Sequence, residues 1–300
     1  MRRRRWQGLA RLAVTLGALA LLLAVLGGAE ITQHLRQAAP GWVALAAGLL
    51  AAQIILSALR WRLSAGALGL AMTRRAAVGE YFLSVLGNTL LPGGVLGDIG
   101  RAARARHTAG LEVAAQSVVI ERLTGQVFLA LAAALGLGVW LWPGPGAWGV
   151  ALAAVGVPVA ALWWLRRATG SRAGLWRRAL RAARLVWLDR RGWRAQAGLS
   201  LLILGCNIGG FWAAAAAAGV VLSAPDALLL IPLTLMAMLL PVSVNGWGLR
   251  EGVAATLWPL AGVGAGAAVA ASILFGLAAA LACLPGLWVL ARCPLTAPAP

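Results

Sequence analysis

Residues 240–251 read LPVSVNGWGLRE. The apolar run before them, 227–240, is too short to cross a bilayer as a helix, which takes about 20 residues. The chain then breaks. Pro241 lacks a backbone donor, Ser243 is polar, and Asn245, Gly246 and Gly248 favour a non-helical path. Arg250 and Glu251 follow at once. Broken backbone and an ionisable pair at membrane depth are costly unless they are buried in protein or line a wet cavity. This stretch is therefore a candidate site in a helical membrane protein.

A second stretch reads the same way. Residues 88–101, NTLLPGGVLGDIGR, follow the short apolar run 76–91. Both stretches carry Pro-x4-Gly-x3-Arg, as Pro92, Gly97 and Arg101 and as Pro241, Gly246 and Arg250. The acid differs in place, Asp98 before its arginine and Glu251 after it. Two interrupted apolar segments in corresponding places of two halves point to a transporter-type site.

Composition supports a membrane protein. Of 300 residues 61% are hydrophobic, and the mean hydropathy is +0.85. No soluble domain has that balance, and several windows are long enough to span. The net charge is +18, with every basic residue an arginine. In a soluble protein that would suggest nucleic acid. Here the arginines cluster between apolar segments in a positive-inside pattern, so no nucleic-acid partner is expected.

The same asymmetry orders the chain. Residues 1–11 are basic and 12–28 apolar, read as a retained first helix and not a signal peptide. Residues 41–59 return inside, where Arg60, Arg62, Arg74 and Arg75 are placed. Residues 76–107 form a re-entrant hairpin with its tip at 92–97. Residues 113–142 form a long helix with Glu121 and Arg122 near its inner edge, as an interfacial anchor pair or as part of a site. Ser117, Glu121 and Thr124 share one face of it, pointing at protein.

After a crossing at 147–165, residues 166–194 carry ten arginines. Trp176, Leu180, Ala183 and Trp187 fall on one stripe there, the pattern of an amphipathic helix on an anionic leaflet. Residues 195–221 cross outward, with Asn207 and the small residues Gly205, Gly209 and Gly210. Residues 227–263 form a second re-entrant hairpin, from the outside, and 266–290 cross inward.

The expectation is one all-α integral membrane domain over 1–300. It has about six transmembrane helices, two re-entrant hairpins in an inverted repeat, and both termini cytoplasmic. Gly97 and Gly246 are expected to lie close, near the midplane.

Little enzyme chemistry is available among eight acids. No Ser–His–Asp arrangement, Walker A loop or dinucleotide fingerprint is present. Cys206, Cys283 and Cys293 form no CxxC pair, and His34 and His107 fall on opposite sides, so no metal or cofactor is expected. The candidate substrate-binding set is Asn88, Pro92, Gly97, Asp98, Arg101, Glu121, Arg122, Pro241, Ser243, Asn245, Gly246, Gly248, Arg250 and Glu251. Arg101 and Arg250 can hold phosphate bidentately, with Glu80 a further acid nearby. Alternatively, each Arg–acid pair only fixes a buried tip.

These residues carry a resemblance. LPVSVNGWGLREG, LPGGVLGDIGRA and, between them, VIERL at 119–123 resemble three motifs of the lysylphosphatidylglycerol synthase transmembrane-region family of flippase-like proteins. The order and spacing fit over most of the chain. Gly125 departs from the pattern, which implies an Asp after ERL. The resemblance implies a lipid flippase or transporter moving an anionic phospholipid or a polyprenyl-phosphate lipid. It does not imply lysylphosphatidylglycerol synthesis, because in the synthases an aminoacyl-transferase domain follows the membrane part and this chain ends at Pro300. The alternatives are a non-catalytic partner of a lipid or envelope-biosynthesis complex, with a homo-oligomer also open, and a lipid-linked sugar transferase. The last would need acids on the outer face, where only Glu30 and Asp226 stand.

Overall fold

The structure, a computed structural model, describes residues 17, 20, 24, 28–91, 94–141, 181–187, 192–239 and 245–292. The expectations for Pro92, Pro241, Ser243, Trp176, Leu180 and Cys293, for the crossing at 147–165, and for both chain ends lie outside these residues. Among the described residues the chain is helical, with no strand. The elements are α1 Gly28–Arg36, α2 Pro40–Ala67, α3 Arg74–Leu90, α4 Leu96–Ala109, α5 Leu111–Leu141, α6 Trp193–Ala217, α7 Ala224–Met236, α8 Leu249–Leu257, α9 Ala265–Ala282 and α10 Pro285–Arg292. Residues 181–187 are also helical. Among the described residues four segments are long and apolar enough to span, namely α2, α5, α6 and the run Ala265–Arg292 made by α9 and α10. The molecule is a helical membrane protein.

Local signals set the helix starts. Pro40 occupies the first turn of α2, where a missing N–H costs nothing. The Thr73 hydroxyl caps α3 by accepting from Ala76 N at 3.2 Å, and Ser223 caps α7. The helices beside the two breaks are short, with 17 residues in α3, 14 in α4, 13 in α7 and 9 in α8. Each is below the length of a span. Asn245, Gly246 and Gly248 all have positive φ, at 49°, 79° and 87°. Three left-handed residues in four cannot continue a helix, and they unwind the chain ahead of α8.

Packing centres on α2, α6 and α9. Phe211 stacks on Phe275 with centroids 4.5 Å apart, and Trp258 donates to Thr234 Oγ1 at 3.0 Å beneath them. Of the expected small face on α6, Gly210 lies against Leu50 and Gly209 against Leu49, while Gly205 meets nothing within 4 Å. On α5, Val119, Leu123 and Val127 are exposed while Ser117, Glu121 and Thr124 are buried. Apolar outside and polar inside is the amphipathy that lipid demands.

Two expectations are corrected. Arg60, read as an inside-loop arginine, lies within α2 and is buried. Its partner Glu121 is 61 residues away, so local sequence carries no sign of the pairing. In the described part of the basic segment, Ala183 and Trp187 of the expected stripe pack against protein, where a leaflet was expected to cover them. Trp187 donates to Thr124 Oγ1 at 3.1 Å and stacks on Phe128, and Ala182 and Val186 pack on Ile120.

Helices α5 and α7 are in close contact at Gly136, where an added Cβ would lie 2.5 Å from Leu228 O. Backbone cannot yield as a side chain can. Gly136→Ala should therefore destabilise by about 1–3 kcal/mol, seen as a lower melting temperature in detergent. Gly198→Ala, where a Cβ meets nothing within 4 Å, should leave the temperature unchanged or raise it.

Candidate functional site

Three spans turn polar stripes inward. On α2 the stripe is Gln53, Ser57, Arg60 and Ser64, spaced by four, three and four residues. On α6 it is Gln196, Ser200 and Asn207, and on α5 Ser117, Glu121 and Thr124. Such spacings keep residues on one helix face. The stripes meet. Arg60 Nη1 donates to Ser200 Oγ at 3.1 Å, and Gln196 Nε2 donates to Ser64 Oγ at 2.9 Å.

Glu121 is the hub. Its Oε1 accepts from Arg60 Nη2 at 2.7 Å and from Tyr81 OH at 3.1 Å. Its Oε2 lies 3.5 Å from Arg101 Nη2. Arg101 also donates to Asp98 Oδ1 at 2.9 Å, and its guanidinium sits 4.5 Å from the Trp61 ring centroid and 4.4 Å from that of Tyr81. Its Nε and Nη1 are buried with no hydrogen-bond partner among the described residues. The two rings offset part of that desolvation.

Asp98 closes the first break. Its Oδ1 accepts from Ser84 Oγ at 2.9 Å and its Oδ2 from Asn88 Nδ2 at 3.0 Å, and Arg122 also pairs with Oδ2. Asn88 Oδ1 accepts from Gly97 N at 2.8 Å. Gly97 is pressed on α3, where a Cβ would fall 1.9 Å from Ser84 O. Arg122 Nη2 also donates to Gly94 O at 2.9 Å. Arg122 is thus tied to the first break from α5, with 38% of its side chain exposed.

The second break forms a separate knot. Arg250 Nη2 donates to Glu251 Oε1 at 2.7 Å and to Ser272 O at 2.9 Å. Its Nε donates to Ser272 Oγ at 2.8 Å. Glu251 Oε2 accepts from Gly248 N at 2.6 Å, which caps α8. A Cβ on Gly276 would stand 2.6 Å from Arg250 Nη2, so α9 needs a glycine there to admit the guanidinium.

Between the breaks lie two adjoining cavities of about 290 and 310 Å³. Both are lined by Gln53, Asn88, Arg122, Gln126 and Asn207. The first adds Arg60, Tyr81, Asp98, Glu121 and Gly125. The second adds Gly94 and Val95 from the first break and Asn245 and Gly246 from the second. The structure thus brings both breaks to one cavity wall. Of the sequence candidates, Asn88, Asp98, Glu121, Arg122, Asn245 and Gly246 line these cavities. Gly97, Arg101, Gly248, Arg250 and Glu251 line neither. No described group of three His, Cys, Asp or Glu residues stands together as a metal site.

The model of the family described as Lysylphosphatidylglycerol synthase TM region matches residues 8–286. The chain belongs to this family. No curated protein matches it. This member of the lysylphosphatidylglycerol synthase TM region family has Gly125 where the resemblance implies an acid. A Cβ there would stand 3.2 Å from Arg60 Nη2, so an acid at 125 would face Arg60. Its absence leaves Arg60, Arg101 and Arg122 against Asp98 and Glu121 among the described residues. Sequence reasoning passed over Tyr81, Gln53 and Gln126, and it named Arg60 and Asn207 without placing them in the site. The spacing of Gln53, Ser57, Arg60 and Ser64 was the available signal for three spans meeting on their polar sides.

Removing the hub charge leaves two buried cations short of a partner. Glu121→Gln should destabilise by about 3–5 kcal/mol. Arg60→Met added to it should restore part of that loss, because it removes one stranded cation. Thermal unfolding in detergent checks both, and a double variant weaker than Glu121→Gln would contradict the assignment.

Proposed function

We propose that this protein is a lipid transporter of the flippase type and not an enzyme. In this reading it moves an anionic phospholipid or a polyprenyl-phosphate lipid across the cytoplasmic membrane. Helices α3 and α4, and α7 and α8, are re-entrant hairpins entering from opposite sides as an inverted repeat, with both termini cytoplasmic. The observation that carries the reading is the cavity lined by both breaks. Its wall holds Arg122, the adjoining cavity adds Arg60, and the ion network beside them has three arginines and two carboxylates. A polar cavity between membrane spans, beside an ion network of net positive charge, suits a phosphate head group.

Family membership supports a lipid-related role. Short helices meeting end-on at a cavity support alternating access around a fixed site. Gln53, Gln126, Asn207 and Asn245 supply amide donors and acceptors for the rest of a polar head group. Arg122 is the best-placed phosphate ligand, because it is partly exposed and held by one carboxylate and one carbonyl. A phosphate can compete for it without dismantling a buried pair.

The test is lipid movement by the purified protein alone in proteoliposomes, and absence of movement in every anionic lipid tried would sink the reading. Arg122→Gln should slow movement about 10- to 100-fold, the loss of a charge-assisted bond to phosphate, with little change in melting temperature. Arg250→Lys should do the reverse. Lysine cannot reproduce the planar fork that Glu251 and Ser272 accept from, so stability should fall while transport per folded molecule persists. A stable but inactive Arg250→Lys would move that arginine into the substrate path.

A further inference from the structure

A second feature lies outside the central cavity, in a groove of about 750 Å³ between α3 and α10. The helices run antiparallel there. A Cβ on Gly286 would stand 2.7 Å from Phe82 O, and one on Gly79 would stand 3.6 Å from Val289. Close contact at Gly286 forms the narrow end. Farther along, the groove widens between Phe82, Val78, Trp288 and Val289 and reaches Arg74, Arg75 and Arg292.

The groove has an apolar length and a cationic mouth. Arg292 lies 3.8 Å from the Trp288 ring centroid, and none of the three arginines makes an ion pair with a described residue. The one carboxylate lining the groove, Glu80, is already paired with Arg104 at 2.7 Å. The mouth therefore carries three positive charges without a counter-ion among the described residues. Its depth is set by the span that ends there. Ala265–Arg292 has 28 residues, which as helix is about 42 Å and exceeds the ~30 Å hydrocarbon core. Its last residues therefore reach the head-group layer, and Trp288 stands where interfacial aromatics belong.

We propose that this groove holds one anionic phospholipid, with its phosphate on Arg74, Arg75 and Arg292 and an acyl chain along Phe82, Trp288 and Val289. A phosphodiester supplies the missing negative charge and a fatty chain covers the apolar wall, the combination that basic inter-helix pockets select. A soluble anion would leave the wall bare, and a zwitterionic lipid would leave the charge unmatched. The bound lipid is a resident brace of α10 against α3, separate from the transported lipid in the central cavity.

The experiment uses the purified full chain, stripped of lipid in non-ionic detergent. It is offered equal amounts of dioleoyl phosphatidylglycerol and dioleoyl phosphatidylcholine and read by native mass spectrometry. Wild type should retain one phosphatidylglycerol, and each Arg→Gln change at 74, 75 or 292 should weaken retention about fivefold. The triple change should abolish the preference. Gly79→Leu, which fills the groove with every arginine intact, should release the lipid as well. Arg122→Gln, in the central cavity, should leave this bound lipid in place. The proposal is overturned if wild type retains no phosphatidylglycerol, if the triple variant keeps the preference, or if Arg122→Gln removes the lipid. Glycerol 3-phosphate competing as well as the lipid would also overturn it, because that marks a simple anion site. The arginine variants change exposed side chains, so the test stands even where Gly79→Leu fails to fold.

Discussion

Glu121 accepts from Arg60 at 2.7 Å and from Tyr81 at 3.1 Å, and lies 3.5 Å from Arg101. It is buried on a 31-residue apolar helix. A carboxylate in that position is costly unless it is paired and hydrogen-bonded. The pairing joins α2, α3, α4 and α5 through one side chain. Arg60 extends it to α6 through Ser200, and Asp98 extends it to the first break through Arg101. In lipid no hydrophobic drive holds helices together, so packing and polar bonds of this kind set the arrangement.

The two breaks share a motif but satisfy it differently. In the first, Asp98 precedes its arginine on α4 and faces outward to Ser84, Asn88 and Arg122. Its network opens to the cavity. In the second, Glu251 follows its arginine and turns back to cap α8, and Arg250 is closed in by Ser272, Trp247 and Phe275. A four-residue change in the acid's place thus gives one open and one sealed network. The sealed one has every guanidinium contact inside protein, and what it presents to the cavity is backbone and amide at Asn245 and Gly246.

The fold class was legible because apolar length and arginine asymmetry are one-dimensional signals. The spans α2, α5 and α6 fall close to where hydropathy placed them, and both breaks fall where Pro and Gly interrupt it. The polar face of α5 at Ser117, Glu121 and Thr124 was legible for the same reason, since helical periodicity is local. Arg60 was not, because an arginine at 60 beside one at 62 looks like the end of a span. Only Glu121, on another helix, shows that it lies inside. Trp187 was misplaced likewise. Its amphipathic stripe is real, but a stripe does not say whether lipid or protein covers it, and Thr124 and Phe128 cover it here.

The positions of the arginines then follow a physical division. Arg101 and Arg250 are the most buried, at 0% and 1% exposure, and each is committed to carboxylates of its own break. A ligand reaching either would have to replace a buried ion pair at low dielectric, where breaking one costs several kcal/mol. Arg122 is held by a carboxylate it shares with three other donors and by a single carbonyl. When Arg122 leaves, Asp98 still accepts from Ser84, Asn88 and Arg101. The cation that can move is therefore the one whose departure strands no charge, and it is the one tied to the first break at Gly94. On the proposed reading, a head group that draws Arg122 into the cavity would release that tie and so couple binding to the position of the first break through this one side chain.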